Sequence, residues 1–247
     1  MTPDVSVIMA SYNSALFLEE AVGSVLGQSF QNWELIISDD ASDDDTVAIA
    51  RRFSAQDSRI RLMTSDVNQG AAVTRNKAIE AAKGRFIAFL DSDDVWLPEK
   101  LERQIPFMKE NGFALTHTGY RKISESGQDL QRDVVSPDAL SYEMLLKSNA
   151  IGCLTAVYDS KILGKIYMPL IRKRQDYGLW LSILRQGHMA YSLPDILALY
   201  RVRTGSISSN KIEMLHYNWR LYRNIERLPV HKAAYYLGWN VLKKLTG

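Results

Sequence analysis

Four short apolar runs, at 5–10, 34–38, 60–63 and 86–90, punctuate the front of the chain. They are rich in β-formers and do not strictly alternate, the pattern of strands buried on both faces of a sheet. Helical periodicity fills the intervals. Leu18, Val22 and Val25 fall at i, i+4 and i+7, and further helical stretches cover 44–56, 70–82 and 98–110, the last opened by Pro98 in a first-turn position. Strand–helix alternation at this spacing predicts a mostly parallel sheet with right-handed crossovers. After residue 112 the pattern loosens. "GFALTHTGYRKI" and "GCLTAVYDSKIL" predict two more strands, with polar "SESGQDLQRD" between them as a turn or mobile loop. "YGLWLSILRQG" predicts a short apolar helix closed by Gly187, and 210–245 two helical pieces broken at Pro229.

Composition narrows the picture. The 247 residues are 46% hydrophobic, enough for one large domain or a domain with an appendage. No stretch reaches the roughly 18 uncharged apolar residues of a membrane span. The opening "MTPDVSVIMASYN" reads as an early strand without the basic front of a signal peptide, so a cytosolic location is expected. Cys153 is the single cysteine, which excludes an internal disulfide and a zinc site built from several cysteines, and it reads as a buried small hydrophobe. The net charge of +2 hides an asymmetry: residues 211–247 carry seven Lys/Arg against Glu213 and Glu226, a net of +5, so the first 210 residues sum to −3.

The acids gather where chemistry is expected. Ligands of open parallel sheets bind at the carboxyl ends of the strands. Three such ends carry "ASYN" (10–13), "SDDASDDDT" (38–46) and "DSDD" (91–94), and neighbouring strands bring them to one rim. Ser42 suits a helix N-cap, with Asp43, Asp44 and Asp45 facing the positive end of the helix dipole, so these read as structural. Asp39 and Asp40 precede that helix, and capping does not account for both. Asp91, Asp93 and Asp94 repel one another unless a cation intervenes. Mg²⁺ takes carboxylate and phosphate oxygens together, and Mn²⁺ suits the same ligands, so a metal-bridged diphosphate is the best single reason for the cluster. No GxGxxG follows the first strand, which disfavours a dinucleotide fold, and "ASYNSALF" lacks the Gly-rich basic loop a nucleotidyltransferase would want.

"VSVIMASYNSALFLEEAVGSVLGQSFQNWELIISDDASDDDT" followed by "NQGAAVTRNKAIEAAKGRFIAFLDSDDVWLPEKL" closely resembles family 2 inverting glycosyltransferases of the GT-A fold. The match is dense over 4–105 and looser to about 206. The resemblance implies an α/β catalytic domain at 1–208, with a nucleotide-binding half at 1–110 and an acceptor-binding half at 111–208, then an amphipathic helical tail at 209–247. It implies a base and ribose floor at Ala10, Ser11 and Tyr12. Asp39 would accept from the uracil imide N–H, favouring UDP-sugars over purine donors. Arg75 would lie near the base and Asp39; a simple ion pair on its helix is the competing reading. Asp91 would stand nearer the ribose and Asp93 would hold Mn²⁺ or Mg²⁺, with Asp94 either helping through water or capping the next helix. "KRQDYGLWL" places the general base at Asp176, where a helix N-cap is the other explanation.

"LYRVRTGSIS" (199–208) resembles the segment that folds over the diphosphate, which implies leaving-group roles for Arg201 and Arg203. Arg203 stands where a His is common and cannot ligate a metal as a His could. Smaller departures are Ala10 for a common Pro, Ala41 for Gly, Gln175 for an acid and Gly178 for a second acid. In the tail, Leu215, Trp219, Tyr222 and Ile225 form one stripe, and Tyr235, Tyr236 and Trp239 precede two lysines. Aromatic residues with Lys/Arg on a helix suit an anionic membrane surface, while packing on the catalytic domain or in a homodimer is the alternative. No nucleic-acid motif accompanies them. The expected function is transfer of a sugar from a UDP-sugar to a lipid-linked saccharide or oligosaccharide in surface-polysaccharide assembly, peripheral on the inner face of the membrane. The rival is a non-catalytic nucleotide-sugar or carbohydrate-binding protein on the same fold.

Overall fold

The computed structural model describes residues 2–203 and 211–246. Its front half is β1 (Val5–Ser11), α1 (Ala15–Leu26), β2 (Trp33–Asp39), α2 (Thr46–Gln56), β3 (Ile60–Thr64), α3 (Ala71–Ala81) and β4 (Phe86–Phe89). β3, β2, β1 and β4 pair side by side and all in parallel. Successive residues of these strands enter different cores. Ile8, Ile36, Ile87 and Phe89 join one apolar cluster, while Val7, Met9, Leu35, Ile37 and Ala88 join a second. That two-sided burial is why the runs read as continuously apolar. The first cluster includes Ala78 and Ile79 of α3, the second Leu18 and Val22 of α1. At the other end of β1, Gly84 allows the α3–β4 turn to lie against the strand, because a Cβ there would stand 2.6 Å from the Ser6 amide nitrogen.

The chain continues through β5 (Val95–Trp96), α4 (Lys100–Asn111), β6 (Leu115–Ile123), β7 (Asp129–Val134), β8 (Ala139–Leu140), α5 (Tyr142–Lys147), β9 (Val157–Asp159), α6 (Ser160–Leu163), α7 (Gln175–Leu184) and β10 (Ala190–Arg201). β9 runs antiparallel between β4 and β6, and β10 lies parallel to β6 with β5 antiparallel on its far side. Two register shifts bend β10 around Leu193 and Ile196, and the bent end brings Arg201 back toward the acids that follow β4.

Several expectations give way here. The stretch read as a turn or mobile loop is a hairpin: β7 pairs antiparallel with β6, and Arg121 bridges to Asp129 and Asp133. β7 is exposed on both faces, so it shows no apolar alternation. "GCLTAVYDSKIL" is a 3₁₀ turn at Cys153–Thr155, then the short β9 and α6, rather than one strand. Pro98 stands ahead of α4, whose N-cap is Glu99. The tail is α8 (Lys211–Arg220), a π-helical segment at Leu221–Ile225 and α9 (Val230–Thr246), parted near Pro229 as expected. It packs on the main body: Leu221, Tyr222 and Ala233 are buried in the first cluster. The Tyr222 hydroxyl donates to Leu146 O at 2.7 Å and lies 2.9 Å from the Tyr177 hydroxyl, which ties the tail to α7.

Candidate active site

The carboxyl ends of β1, β2 and β4 form the rim. At the end of β2, Asp39 is held on both oxygens: Oδ1 accepts from the Ser42 amide at 2.9 Å, and Oδ2 from the Ser11 and Ser42 hydroxyls at 2.9 and 2.6 Å. Ala41 adopts φ 63, which accounts for the preference for Gly at this turn. The Ser42 hydroxyl thus donates to Asp39 and accepts from the Asn13 amide at 2.9 Å, and it does not cap α2. α2 begins at Thr46, and it is Asp44 that accepts from the Thr46 and Ala15 amides, at 2.9 and 3.1 Å. Asp40 turns the other way and accepts from the Gln69 and Gly70 amides at 2.9 and 2.7 Å, fixing the entry to α3. Beside this turn Ala10 is half-buried and Ser11 buried, while Tyr12 offers an exposed ring.

The turn after β4 is built differently. Asp91 pairs with Arg75 of α3, Nη2 to Oδ1 at 2.5 Å, so the arginine reaches Asp91 on the turn after β4 rather than Asp39 or a partner on its own helix. Asp93 Oδ2 accepts from Arg203 Nη1 at 3.0 Å. Asp94 Oδ1 accepts from the Arg201 amide at 2.8 Å, so it anchors the end of β10 and does not cap α4. Burial, then the Asp91 charge, pushes the Asp93 carboxyl up, against the pull of Arg203. Burial and the charges of Asp93 and Asp91 push Asp94 well up.

Arg201 does not fit the leaving-group role. Its side chain is only 2% exposed and fully engaged: Nε donates to Asp93 O at 2.8 Å, Nη1 to Glu125 O at 3.0 Å, and Nη2 pairs with Glu20 at 2.5 Å. It holds the rim together and faces no open space. Phe17 lies beneath both arginines, 5.1 Å from the Arg201 guanidinium and 4.6 Å from that of Arg203. Phe17 and Glu20, one helical turn apart on α1, were missed; their i, i+3 spacing just after the "ASYN" turn is the signal that points them at the rim.

Asp176 sits in the first turn of α7, past the N-cap residue Arg174, so it is not itself the cap. Burial raises its carboxyl above the ordinary Asp value, opposed by the Tyr177 amide and by Arg174 and Arg75, and reinforced by Asp91. Trp180 of the same helix packs edge-on against Phe89 at the end of β4, 5.4 Å between ring centres, which brings α7 to the strand that ends at the rim. Cys153 is half-buried there, and burial followed by Asp91 pushes its thiol up, which leaves it protonated. The missing acid at 178 has a steric reason: a Cβ on Gly178 would fall 2.5 Å from Pro169 Cγ and 3.2 Å from Leu221 Cδ1 of the tail.

Among the described residues no group of three or more His, Cys, Asp or Glu side chains is arranged to hold a metal ion. Asp91 and Asp93 fit a hard divalent ion whose other ligands are water and phosphate oxygens, the usual way such ions meet nucleotides. Arg203, already on Asp93, supplies positive charge at the same place and no ligand atom.

A mixed sheet whose parallel half ends in these acids is the architecture of GT-A nucleotide-sugar transferases. Residues 6–159 match the model of Glycosyl transferase family 2, and the chain belongs to that family. It is 46% identical over 233 residues to the putative teichuronic acid biosynthesis glycosyltransferase TuaG of Bacillus subtilis (strain 168), spanning 94% of this chain and 92% of that protein. It is 40% identical over 239 residues to the UDP-Glc:alpha-D-GlcNAc-diphosphoundecaprenol beta-1,3-glucosyltransferase WfgD of Escherichia coli, spanning 96% and 92%. The crystal structure of S. aureus TarS 1-349 in complex with UDP-GlcNAc superimposes with a TM-score of 0.72 at 21% identity, over 95% of this chain and 70% of that one, which establishes the shared GT-A fold.

Proposed function

We propose that this glycosyltransferase moves a sugar from a UDP-sugar to a lipid-linked saccharide with inversion at the anomeric carbon, in the assembly of a surface polysaccharide. The reading is supported by α7, which packs Trp180 edge-on against Phe89 at the end of β4, 5.4 Å between ring centres, and carries the half-buried Asp176 in its first turn, where the charges of Arg75 and Asp91 reach it. Asp39, oriented by Ser11 and Ser42, accepts from the uracil imide; Ala10, Ser11 and Tyr12 floor the base and ribose. Asp91, steadied by Arg75, takes the ribose side. Asp93, together with diphosphate oxygens, would hold Mn²⁺ or Mg²⁺, whose positive charge would offset that of the leaving diphosphate. Arg203 adds a guanidinium there, while Arg201 keeps the rim in shape.

The transfer itself is a displacement. The acceptor hydroxyl oxygen bonds to the anomeric carbon, the bond from that carbon to the β-phosphate oxygen breaks with its electron pair leaving on UDP, and the hydroxyl proton passes to Asp176. The raised Asp176 carboxyl suits this work, since a base closer to working pH both stays ionised and holds the proton it takes. One relative is named for a diphosphoundecaprenol acceptor, which supports a lipid-linked acceptor here.

The tail supports contact with a membrane surface. No helix among the described residues is long and apolar enough to cross a membrane. On α9, however, Tyr235, Trp239 and Leu242 fall at i, i+4 and i+7 and are 53, 37 and 54% exposed. Exposed Lys232 and Lys243 flank them, and Lys147 lies 5.5 Å from the Trp239 ring. The opposite face, with Ala233 and Asn240, is buried against the body. Such a face suits anionic lipid, with the enzyme peripheral on the cytoplasmic side.

The deciding experiment offers UDP- and GDP-sugars with Mn²⁺, with and without chelator, and follows free nucleotide and the anomeric configuration of the product by NMR. Turnover from UDP-sugars that needs the ion and inverts the linkage is expected; equal use of GDP-sugars removes the role given to Asp39. Co-sedimentation with anionic vesicles, lost in a Tyr235→Ser/Trp239→Ser variant, tests the tail. Retained sedimentation, or a dimer broken by the same changes, assigns that face elsewhere.

A further inference from the structure

Arg201 and Arg203 leave the end of β10 two residues apart and share the Phe17 ring, yet they are held in opposite ways. Arg201 is locked by four acceptors, Asp93 O, Ser124 O, Glu125 O and the Glu20 carboxylate, with its side chain 2% exposed. Arg203 is 34% exposed, and its contact with the acids is one point, Nη1 to Asp93 Oδ2 at 3.0 Å. Asp93 is also the carboxylate read above as the ion's ligand, and it is crowded by the Asp91 charge. One carboxylate thus has two cationic suitors, of which one is built into the chain.

We propose that Arg203 is a resident counter-ion for Asp93: in the nucleotide-free enzyme it occupies the carboxylate and competes with the divalent ion, and an arriving diphosphate takes the guanidinium over. A guanidinium stays charged at any working pH, so only an incoming anion or a stronger cation can draw it off. A partly exposed ion pair is weak enough to exchange. Diphosphate oxygens offer Arg203 a two-pronged acceptor in place of a single oxygen, which makes the exchange favourable once the nucleotide is present. The consequence is reciprocal coupling, in which ion and UDP each bind more tightly when the other is bound. This inference rests on the reading of Asp93 as the ion's ligand, and it assigns Arg203 a positioning role through Asp93 before it touches the donor.

The test titrates Mn²⁺ into the full-length protein without nucleotide and follows the free-ion electron paramagnetic resonance signal, then repeats the titration with saturating UDP. Wild type, Arg203→Gln, Arg203→Lys and Asp93→Asn are compared, with thermal melts to show that each is folded. Arg203→Gln is expected to bind Mn²⁺ about two- to fivefold more tightly than wild type without UDP, the range an exposed ion pair can hold back. The same variant should show a smaller gain in Mn²⁺ affinity on adding UDP, and Arg203→Lys, which keeps the charge, should stay near wild type. Unchanged or weaker Mn²⁺ binding in Arg203→Gln overturns the competition. Wild-type Mn²⁺ binding in Asp93→Asn instead overturns the underlying assignment of Asp93, so the two failures are told apart.

Discussion

Two acidic turns share the rim, one after β2 and one after β4, and the fold treats them oppositely. Asp39 and Asp40 meet donors on both oxygens, drawn from Ser11, Ser42, Gln69 and Gly70. These are neutral hydroxyls and amides in fixed positions. Asp91 and Asp93 instead face guanidinium groups from other elements, Arg75 and Arg203, while Asp94 faces the Arg201 amide and all three acids crowd one another. The first turn is complete as folded and presents a shape. The second is held by opposing charges, Arg75 and Arg203 against Asp91 and Asp93. On the proposed reading, recognition of a base and handling of a diphosphate are separated along one edge of one sheet.

That contrast can be broken or sharpened experimentally. The largest effect is expected outside both turns, in Asp176→Asn, where kcat should fall on the order of 10²–10⁴-fold with UDP affinity kept, as read by steady-state kinetics and calorimetry. In the wild type the raised Asp176 carboxyl keeps its proton to higher pH than an ordinary Asp at about 3.9. The activity kcat/KM should therefore rise with pH through an inflection above that value and then level, and near-native turnover in the variant removes Asp176 from the reaction.

Next comes the choice of base. On the proposed reading, Asp39→Asn replaces a charged acceptor of the imide N–H with a weaker neutral one, and UDP-over-GDP preference in competition binding should drop by about tenfold. The two turns then diverge on stability. Asp40→Ala strands the Gln69 and Gly70 amides and should cost about 1–3 kcal/mol in urea unfolding. Asp93→Asn removes a like charge from a crowded site and should change stability by no more than about 1 kcal/mol in either direction. Equal losses from the two substitutions would erase the distinction drawn between the turns.

The front of the molecule was readable because both faces of β1, β2 and β4 are buried, which writes an unbroken apolar run for each strand. β10 was missed for the opposite reason: Pro194 and Asp195 interrupt it where its register shifts, and polar Ser192 faces inward. β7 escaped notice because an exposed edge strand needs no apolar residues. The candidate site divides in the same way. Asp39, Asp91 and Asp93 announced themselves as acids at strand ends, where charge has no place in a core. Strand alternation gives Arg201 and Arg203 the same face, so the pattern alone does not separate the buried arginine from the half-exposed one. The difference comes from Glu20 and the Glu125 carbonyl, which reach only Arg201. Ser42 was misassigned because a hydroxyl before a helix suits a cap, and here the neighbouring carboxylate outbid the helix amides.

Gly178 carries a consequence for how this enzyme can be re-engineered. The space beside α7 is closed first by Pro169, 2.5 Å from where a Cβ at 178 would stand, and less tightly by Leu221 of the C-terminal segment at 3.2 Å, so a side chain at 178 requires the proline to move. A chimera that borrows α7 from a relative with an acid at that position must borrow the segment around Pro169 with it. That segment and α7 then travel together, as a single interchangeable module.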